Sequence, residues 1–415
     1  MSYFRINLYL TLKHFFLSFF SDDKRINQDI TQFIKNFSEK KEVILTSQLR
    51  TGFILTLKHL KKKFPKRNEI ILNSYNLAEM VNICKHLGLK IIFTNLNENL
   101  FIDDKDLIRK INHKTLAVVA TNIFNTFNDI KALQKVCKQK KIPLIEDNAI
   151  YFGNFKKIAN TKKYSGSFGD YCLNSFNIMK NISAMYGGSV STNDKDFAKF
   201  AKKEISNYES FPFVTFLKQC LIFLILKMLK INFIYNLFFL RLIKNANKTN
   251  NIFILSLVYP SIKFKVRKLP YYYFSKIHKL AKRMILLQLK DKKNFELNHS
   301  KKRANNIFYY KILKKKNING IELFKYEDSN FQNFNDFPVM VQDKTLLVEY
   351  LFSKGVETKT IQYVDCQNIF KSKTNTRNLK QFENQVLCLP NHRLISKKYI
   401  EFIVNLLNEF YKKND

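Results

Sequence analysis

Along residues 43–147 the chain switches repeatedly between short apolar runs and segments with an apolar position every three or four residues. The runs are Val43-Ile-Leu, Glu69-Ile-Ile-Leu, Lys90-Ile-Ile-Phe, Leu116-Ala-Val-Val-Ala and Pro143-Leu-Ile, and each reads as a buried strand. Helical spacing fills 52–60, 77–87 and 129–140 between them. This alternation predicts an α/β fold, with a mostly parallel central sheet covered by helices on both faces. In such sheets chemistry gathers beyond the carboxyl ends of the strands, and Asp147 sits at such an end, just past Leu144 and Ile145.

Further on, 290–316 reads as a long polar-faced helix, 335–341 as a strand, and 345–354 and 399–411 as helices. A smaller C-terminal α/β domain follows from that pattern. The expected division is an N-terminal arm over 1–41, a large domain over 42–205, an insertion over 206–265 and a small domain over 266–415. Residues 210–290 hold 15 Lys plus Arg and no Asp or Glu. Within them the apolar blocks 220–226 and 231–240 are split by Lys227 and Lys230, and neither reaches the roughly 20 residues of a bilayer span. Taken as one helix over 220–244, Lys227, Lys230, Arg241 and Lys244 fall on a stripe about 100° wide. A broad apolar face with a basic stripe suits a helix lying in the interface of an anionic membrane. Burial against its own domain or a second subunit is the competing explanation.

The composition, 46% hydrophobic and 25% charged over 415 residues, excludes wholesale disorder. The formal charge of +38 invites anions: phosphorylated substrates, nucleic acid or an acidic membrane surface. With only 9 Gly, 7 Pro and no Trp, the chain also has the drift of an AT-rich genome, so charge alone assigns no partner. It shows no zinc-finger spacing, RNP motif or base-reading basic helix, and specific nucleic-acid binding is not expected. Six cysteines without a CxxC pair fit a reducing cytosol, and seven histidines form no metal-ligand pattern, so no metal is expected. The apolar run at 8–20 is interrupted by Lys13 and His14, is followed by Asp22 and Asp23, and lacks a small-residue cleavage site. It does not read as a signal peptide.

Glycine placement is more informative. Gly153, Gly166, Gly169, Gly187 and Gly188 are five of the nine, clustered in a chain otherwise poor in glycine. Glycine is needed where the backbone turns tightly or approaches a ligand. The same stretch holds Asp147, Ser175 and Lys180. An acid at a strand end, a hydroxyl, a lysine and a glycine pair suggest an anion-binding pocket with a reactive amine.

The block Ile145-Glu-Asp-Asn-Ala, Ser165-Gly-Ser-Phe-Gly-Asp170, Ser175-Phe-Asn-Ile-Met-Lys180-Asn and Gly187-Gly188-Ser-Val-Ser-Thr-Asn-Asp194 resembles the DegT/DnrJ/StrS family. With weaker stretches the likeness runs from about residue 43 to the C-terminus, through Thr46-Ser-Gln-Leu-Arg-Thr51-Gly-Phe, Glu69-Ile-Ile-Leu-Asn-Ser-Tyr75 and Leu387-Cys-Leu-Pro390-Asn-His. The resemblance implies the fold type I of pyridoxal-phosphate (PLP) transferases. It also implies transfer of an amino group from an amino acid, commonly glutamate, to a nucleotide-linked keto sugar in surface polysaccharide or glycan biosynthesis. It implies a homodimer. By the same resemblance Lys180 forms the Schiff base with PLP and Asp147 pairs with the pyridine N–H. Ser175, with backbone N–H groups around Arg50 and Thr51, holds the phosphate at a helix start, where Arg50 adds a charge-assisted contact. Sugar dehydratases of this scaffold carry histidine in place of that lysine, so Lys180 points to amination. The chain departs from the family pattern at Gln48-Leu49, where Ser-Gly is usual, at Leu77, where an aromatic is usual, and at Ile150, where Gln is usual. Phe274-Ser-Lys276 replaces an Asn-aromatic-Arg segment that the neighbouring subunit contributes. The other reading is a catalytically degenerate PLP-fold relative acting as a membrane-associated binding or regulatory partner. A cytoplasmic location, peripheral on the inner face of the membrane, completes the expectation.

Overall fold

The computed structural model describes residues 3, 8–21, 24–249, 268–327, 329–359, 363–372, 376 and 379–414. Seven strands form the main sheet: β1 (Glu42–Thr46), β2 (Glu69–Asn73), β3 (Lys90–Thr94), β4 (Thr115–Thr121), β5 (Leu144–Asp147), β6 (Tyr171–Ser175) and β7 (Gly188–Thr192). Their order is β1-β7-β6-β5-β4-β2-β3. Neighbours from β6 through β3 run parallel, and only β7 runs against its neighbours, β6 and β1. The period of two along β4 explains why both faces carry helices. Ala117 and Val119 pack with Phe53 and Phe197 on one side, while Val118 and Ala120 join Ile130 and Leu133 on the other.

The alternation read from the sequence is present, with shifted ends. The helix expected at 129–140 is Phe127–Gln139, because Thr126 and Asp129 close a reciprocal capping box two residues earlier. The helix expected over 290–316 starts at Lys292, and a separate helix, Lys279–Lys290, precedes it. Asp291 stands between them, and its side chain accepts from Asn294 N–H. A three-stranded antiparallel sheet of Ile321–Glu322, Asp336–Val341 and Val386–Pro390 lies beyond, with helices Lys344–Ser353 and Lys397–Asn414. Val339, Leu387 and Ile400 share one continuous core with Val118 and Ile130 of the main sheet.

In the basic apolar stretch, no single helix forms over 220–244. Phe213–Leu229 is helical, the chain breaks at Lys230 and Ile231, and Tyr235–Phe239 and Leu240–Lys248 follow. The expected basic stripe is lost with that break. Lys227 turns inward, its Nζ donating to the Leu8 carbonyl at 3.3 Å, while the outward face is apolar. Of the expected insertion, residues 250–265 lie outside the described residues. Among the described residues no helix is long and apolar enough to cross a membrane.

Candidate active site

Asp147 ends β5, and its position is fixed by the residue before it. Glu146 is fully buried and accepts from Asn122 Nδ2 and Gly166 N on one oxygen and from Phe168 N and Gly169 N on the other. This wraps the 165–169 loop around the strand end. A Cβ at Gly169 would lie 2.9 Å from the Glu146 nitrogen, and Gly166 has φ +90°. Two of the five clustered glycines therefore serve the grip on Glu146 rather than a ligand. The Asp147 carboxylate accepts from Ala149 N–H at 3.0 Å. Burial raises its carboxyl to about 6, against the opposing pull of that hydrogen bond and of the Lys180 and Arg50 charges.

Lys180 lies on the turn between β6 and β7. Its N–H donates to Asn177 O at 3.0 Å, and Ser183 Oγ donates to its carbonyl. Gln288 of helix Lys279–Lys290 clamps Ser183 through both N–H and C=O. Asn181, next in the chain, donates to the Phe152 carbonyl at 2.8 Å. Its other amide atom accepts from Nζ of Lys302, a fully buried lysine that also donates to Asn335 at 2.7 Å. Burial lowers the Lys180 amine to about 8, helped by the Lys359 charge and opposed by Asp147. A lysine held there is partly neutral near physiological pH, the state in which it is a nucleophile.

Ser175 and the start of helix Leu49–Lys63 meet across three strands. Ser175 pairs with Gly188, and Gly188 pairs with Thr46. A Cβ at Gly188 would stand 2.4 Å from the Leu49 nitrogen, so only glycine lets the helix start so close to β7. The N-cap Gln48 makes no side-chain cap, and the first intrahelical bond runs from Gly52 N–H to Gln48 O. The N–H groups of Leu49, Arg50 and Thr51 precede it and point to an anion site. Arg50 donates to Gln48 Oε1 at 3.3 Å and lies over the Tyr273 ring. The Thr51 hydroxyl is committed to the fold, donating to the Tyr273 carbonyl at 2.8 Å, which leaves its backbone N–H as its contribution. Tyr273 belongs to the turn Tyr271–Phe274, so the Phe274-Ser-Lys276 segment lies beside the helix start of its own chain.

Three kinds of group thus converge: a buried carboxylate, a depressed amine and a helix start with an arginine. Gln48 Nε2, Arg50 Nε and Asn177 Oδ1 are buried there without a hydrogen-bond partner among the described residues. Such groups are costly unless a ligand completes them. The set suits PLP: the helix start would hold its phosphate, Asp147 its ring nitrogen and Lys180 its aldehyde. Leu77 and Ile150 are partly buried and apolar, suited to packing on a ring but not to polar contact.

Sequence reasoning passed over Lys302, Lys359 and Tyr363. Burial and the Asp147 charge both push the Tyr363 phenol up. All three lie more than 100 residues from Lys180 in the chain and carry no motif. A hint was available for Lys302 alone, as a charge on the inner side of an otherwise polar-faced helix.

Residues 20–208 match the model of the DegT/DnrJ/EryC1/StrS aminotransferase family. GDP-perosamine synthase of Escherichia coli O157:H7 is 30% identical over 168 residues, 40% of this chain and 45% of that protein. GDP-perosamine synthase of Vibrio cholerae is 35% identical over 127 residues, 30% of this chain and 34% of its own. The chain thus matches less than half the length of these relatives. In fold it is similar along its whole length to Helicobacter pylori PseC, an aminotransferase involved in the biosynthesis of pseudoaminic acid, with TM-score 0.72, 16% identity and 100% of each chain covered. The matched residues 20–208 carry Asp147, Ser175 and Lys180.

Proposed function

We propose that this protein is a PLP-dependent aminotransferase that moves an amino group from an amino acid, glutamate being the expected donor, to a nucleotide-linked keto sugar. The product would serve surface polysaccharide or glycan biosynthesis. The observation that carries the reading is the pairing of buried Asp147 with the depressed amine of Lys180, beside an uncapped helix start. A site drifting away from chemistry has no reason to retain a buried carboxylate beside a depressed amine.

When bound, PLP supplies an electron sink for the carbon that carries the amino group. The protein's own residues do the rest. Asp147, as a carboxylate, keeps a proton on the ring nitrogen. Lys180 anchors the cofactor and, once released, carries a proton to and from the substrate carbon. Ser175, Arg50 and the N–H groups of Leu49 to Thr51 hold the phosphate. In this reading 42–205 is the cofactor-binding domain, 266–415 the small domain and 1–41 an arm. The working unit is a homodimer in the cytoplasm, peripheral on the inner membrane face, where its product would meet a lipid-linked glycan assembly.

The test is the absorbance spectrum of the purified protein with added PLP, beside Lys180→Ala. A visible band that survives desalting in the parent and not in the variant supports the reading, and glutamate should bleach it. Loss of the cofactor from both proteins on desalting would overturn it.

A further inference from the structure

Two helices are turned the wrong way for water. Helix Leu12–Phe20 buries His14, Phe15 and Ser18, yet it exposes Leu12, Phe16, Leu17, Phe19 and Phe20, the last at 84%. Its inner face is the more polar one, with His14 3.3 Å from the Asp291 carboxylate. Helix Phe213–Leu229 buries Phe216, Cys220 and Phe223 while exposing Val214, Leu217, Leu221, Ile225 and Met228, which follow one another at steps of three or four. The two helices meet through Phe15 and Phe223, whose rings are 5.0 Å apart. Arg283 donates to the Ser18 and Phe19 carbonyls, fixing the end of the first helix to Lys279–Lys290. Two touching helices thus both turn apolar side chains outward, a concentration unlike the single exposed apolar residues usual on a soluble protein.

Charge says what covers it. Residues 210–290 contain 15 Lys plus Arg and no acid, and Lys13, Lys218, Arg241 and Lys279 are exposed on or beside these helices. The acids nearest in the chain, Asp22, Asp23, Glu209 and Asp291, leave the excess intact. A second copy would bring the same basic surface against itself, whereas an anionic lipid surface answers both its charge and its apolarity. The second helix has 17 residues, about 25 Å of length, and suits a position flat in the interface rather than across it.

We propose that helices Leu12–Phe20 and Phe213–Leu229 together form a monotopic docking surface for anionic lipid. The inference gives the peripheral location proposed above its surface and is independent of the chemistry at Lys180. Its test is co-sedimentation of the full chain with vesicles of phosphatidylcholine alone or with equal parts phosphatidylglycerol. The protein should pellet with the anionic vesicles, less so at high salt. Phe16→Glu and Leu221→Glu should each weaken binding at least tenfold while keeping the parent's melting temperature and PLP band. Protein that stays in solution with every vesicle would overturn the proposal. So would a tight oligomer that Leu221→Glu splits in lipid-free buffer, since the face would then belong to a second copy. An effect of Leu221→Glu without one of Phe16→Glu would refute the joint surface. Loss of the PLP band with binding intact would count against the aminotransferase reading alone.

Discussion

Replacing Lys302 by methionine isolates the energetic consequence of a lysine buried behind the Lys180 turn. Its amine meets two neutral amide oxygens, on Asn181 and Asn335, and burial lowers it from an ordinary 10.5 to about 7. Between those values the folded protein holds the amine neutral while the unfolded chain protonates it. The unfolded state then binds more protons, so stability rises with pH across that window. Each pH unit is worth about 1.4 kcal/mol, giving a cost of about 4 kcal/mol at pH 7.5 and about 1 kcal/mol at pH 9.5. Methionine removes this cost but loses two hydrogen bonds, at roughly 1 kcal/mol each, and leaves two buried acceptors unmet. Lys302→Met should thus be close to neutral near pH 7.5 and lose about 3 kcal/mol relative to the parent by pH 9.5. Unfolding entropy near 2.1 cal/mol/K per residue makes that a change of about 3 °C in the melting-temperature difference for this chain. Scanning fluorimetry of both proteins over the range reads it directly, and Lys180 titrates in both, so it drops out of the comparison. A melting-temperature difference that is flat with pH, or that moves in the variant's favour, would refute the placement of a neutral Lys302.

Two further outcomes follow from the site. Because burial holds the Lys180 amine at about 8, the rate at which apoprotein takes up PLP should rise with pH and be half-maximal near that value. Stopped-flow absorbance measures it, and a midpoint near the ordinary 10.5 would contradict the burial argument. Gly188→Ala places a methyl group 2.4 Å from the Leu49 nitrogen, against backbone that cannot yield, and should cost about 1–3 kcal/mol or more. Melting temperature and PLP retention should fall together in that variant, whereas an unchanged melting temperature would show that the helix start can withdraw from β7.

What the sequence disclosed and what it hid have a common physical cause. β2, β4 and β5 announce themselves because parallel strands buried on both faces must be built from Ile, Val, Leu and Ala. β6 and β7 gave no such signal, although every residue in them is buried, because they bury Asn174, Ser175, Ser189, Ser191 and Thr192 instead. Part of this polarity is met internally: Asn174 Nδ2 donates to Ser189 Oγ, Asn148 Nδ2 to Asn174 Oδ1, and Thr192 Oγ1 to the Asp170 carbonyl. A hydropathy pattern cannot see that compensation. The glycine cluster misled in part for the same reason, since Gly166 and Gly169 close on Glu146, a buried acid satisfied entirely by backbone and an asparagine.

Lys180 itself was legible through its motif, but what sets its amine was not. Its depressed value depends on burial and on Lys359, and its turn is held by Lys302, through Asn181, and by Gln288, from two helices far along the chain. Each of these residues is common and, taken alone, would pass for surface polarity. Their effect exists only where the C-terminal helices close over the end of the main sheet. The motif singles out Lys180, and residues without a motif set the burial and charge around its amine. A chain that kept the motif but lost Lys302 or Gln288 would still resemble the family, with the turn that carries its lysine no longer held.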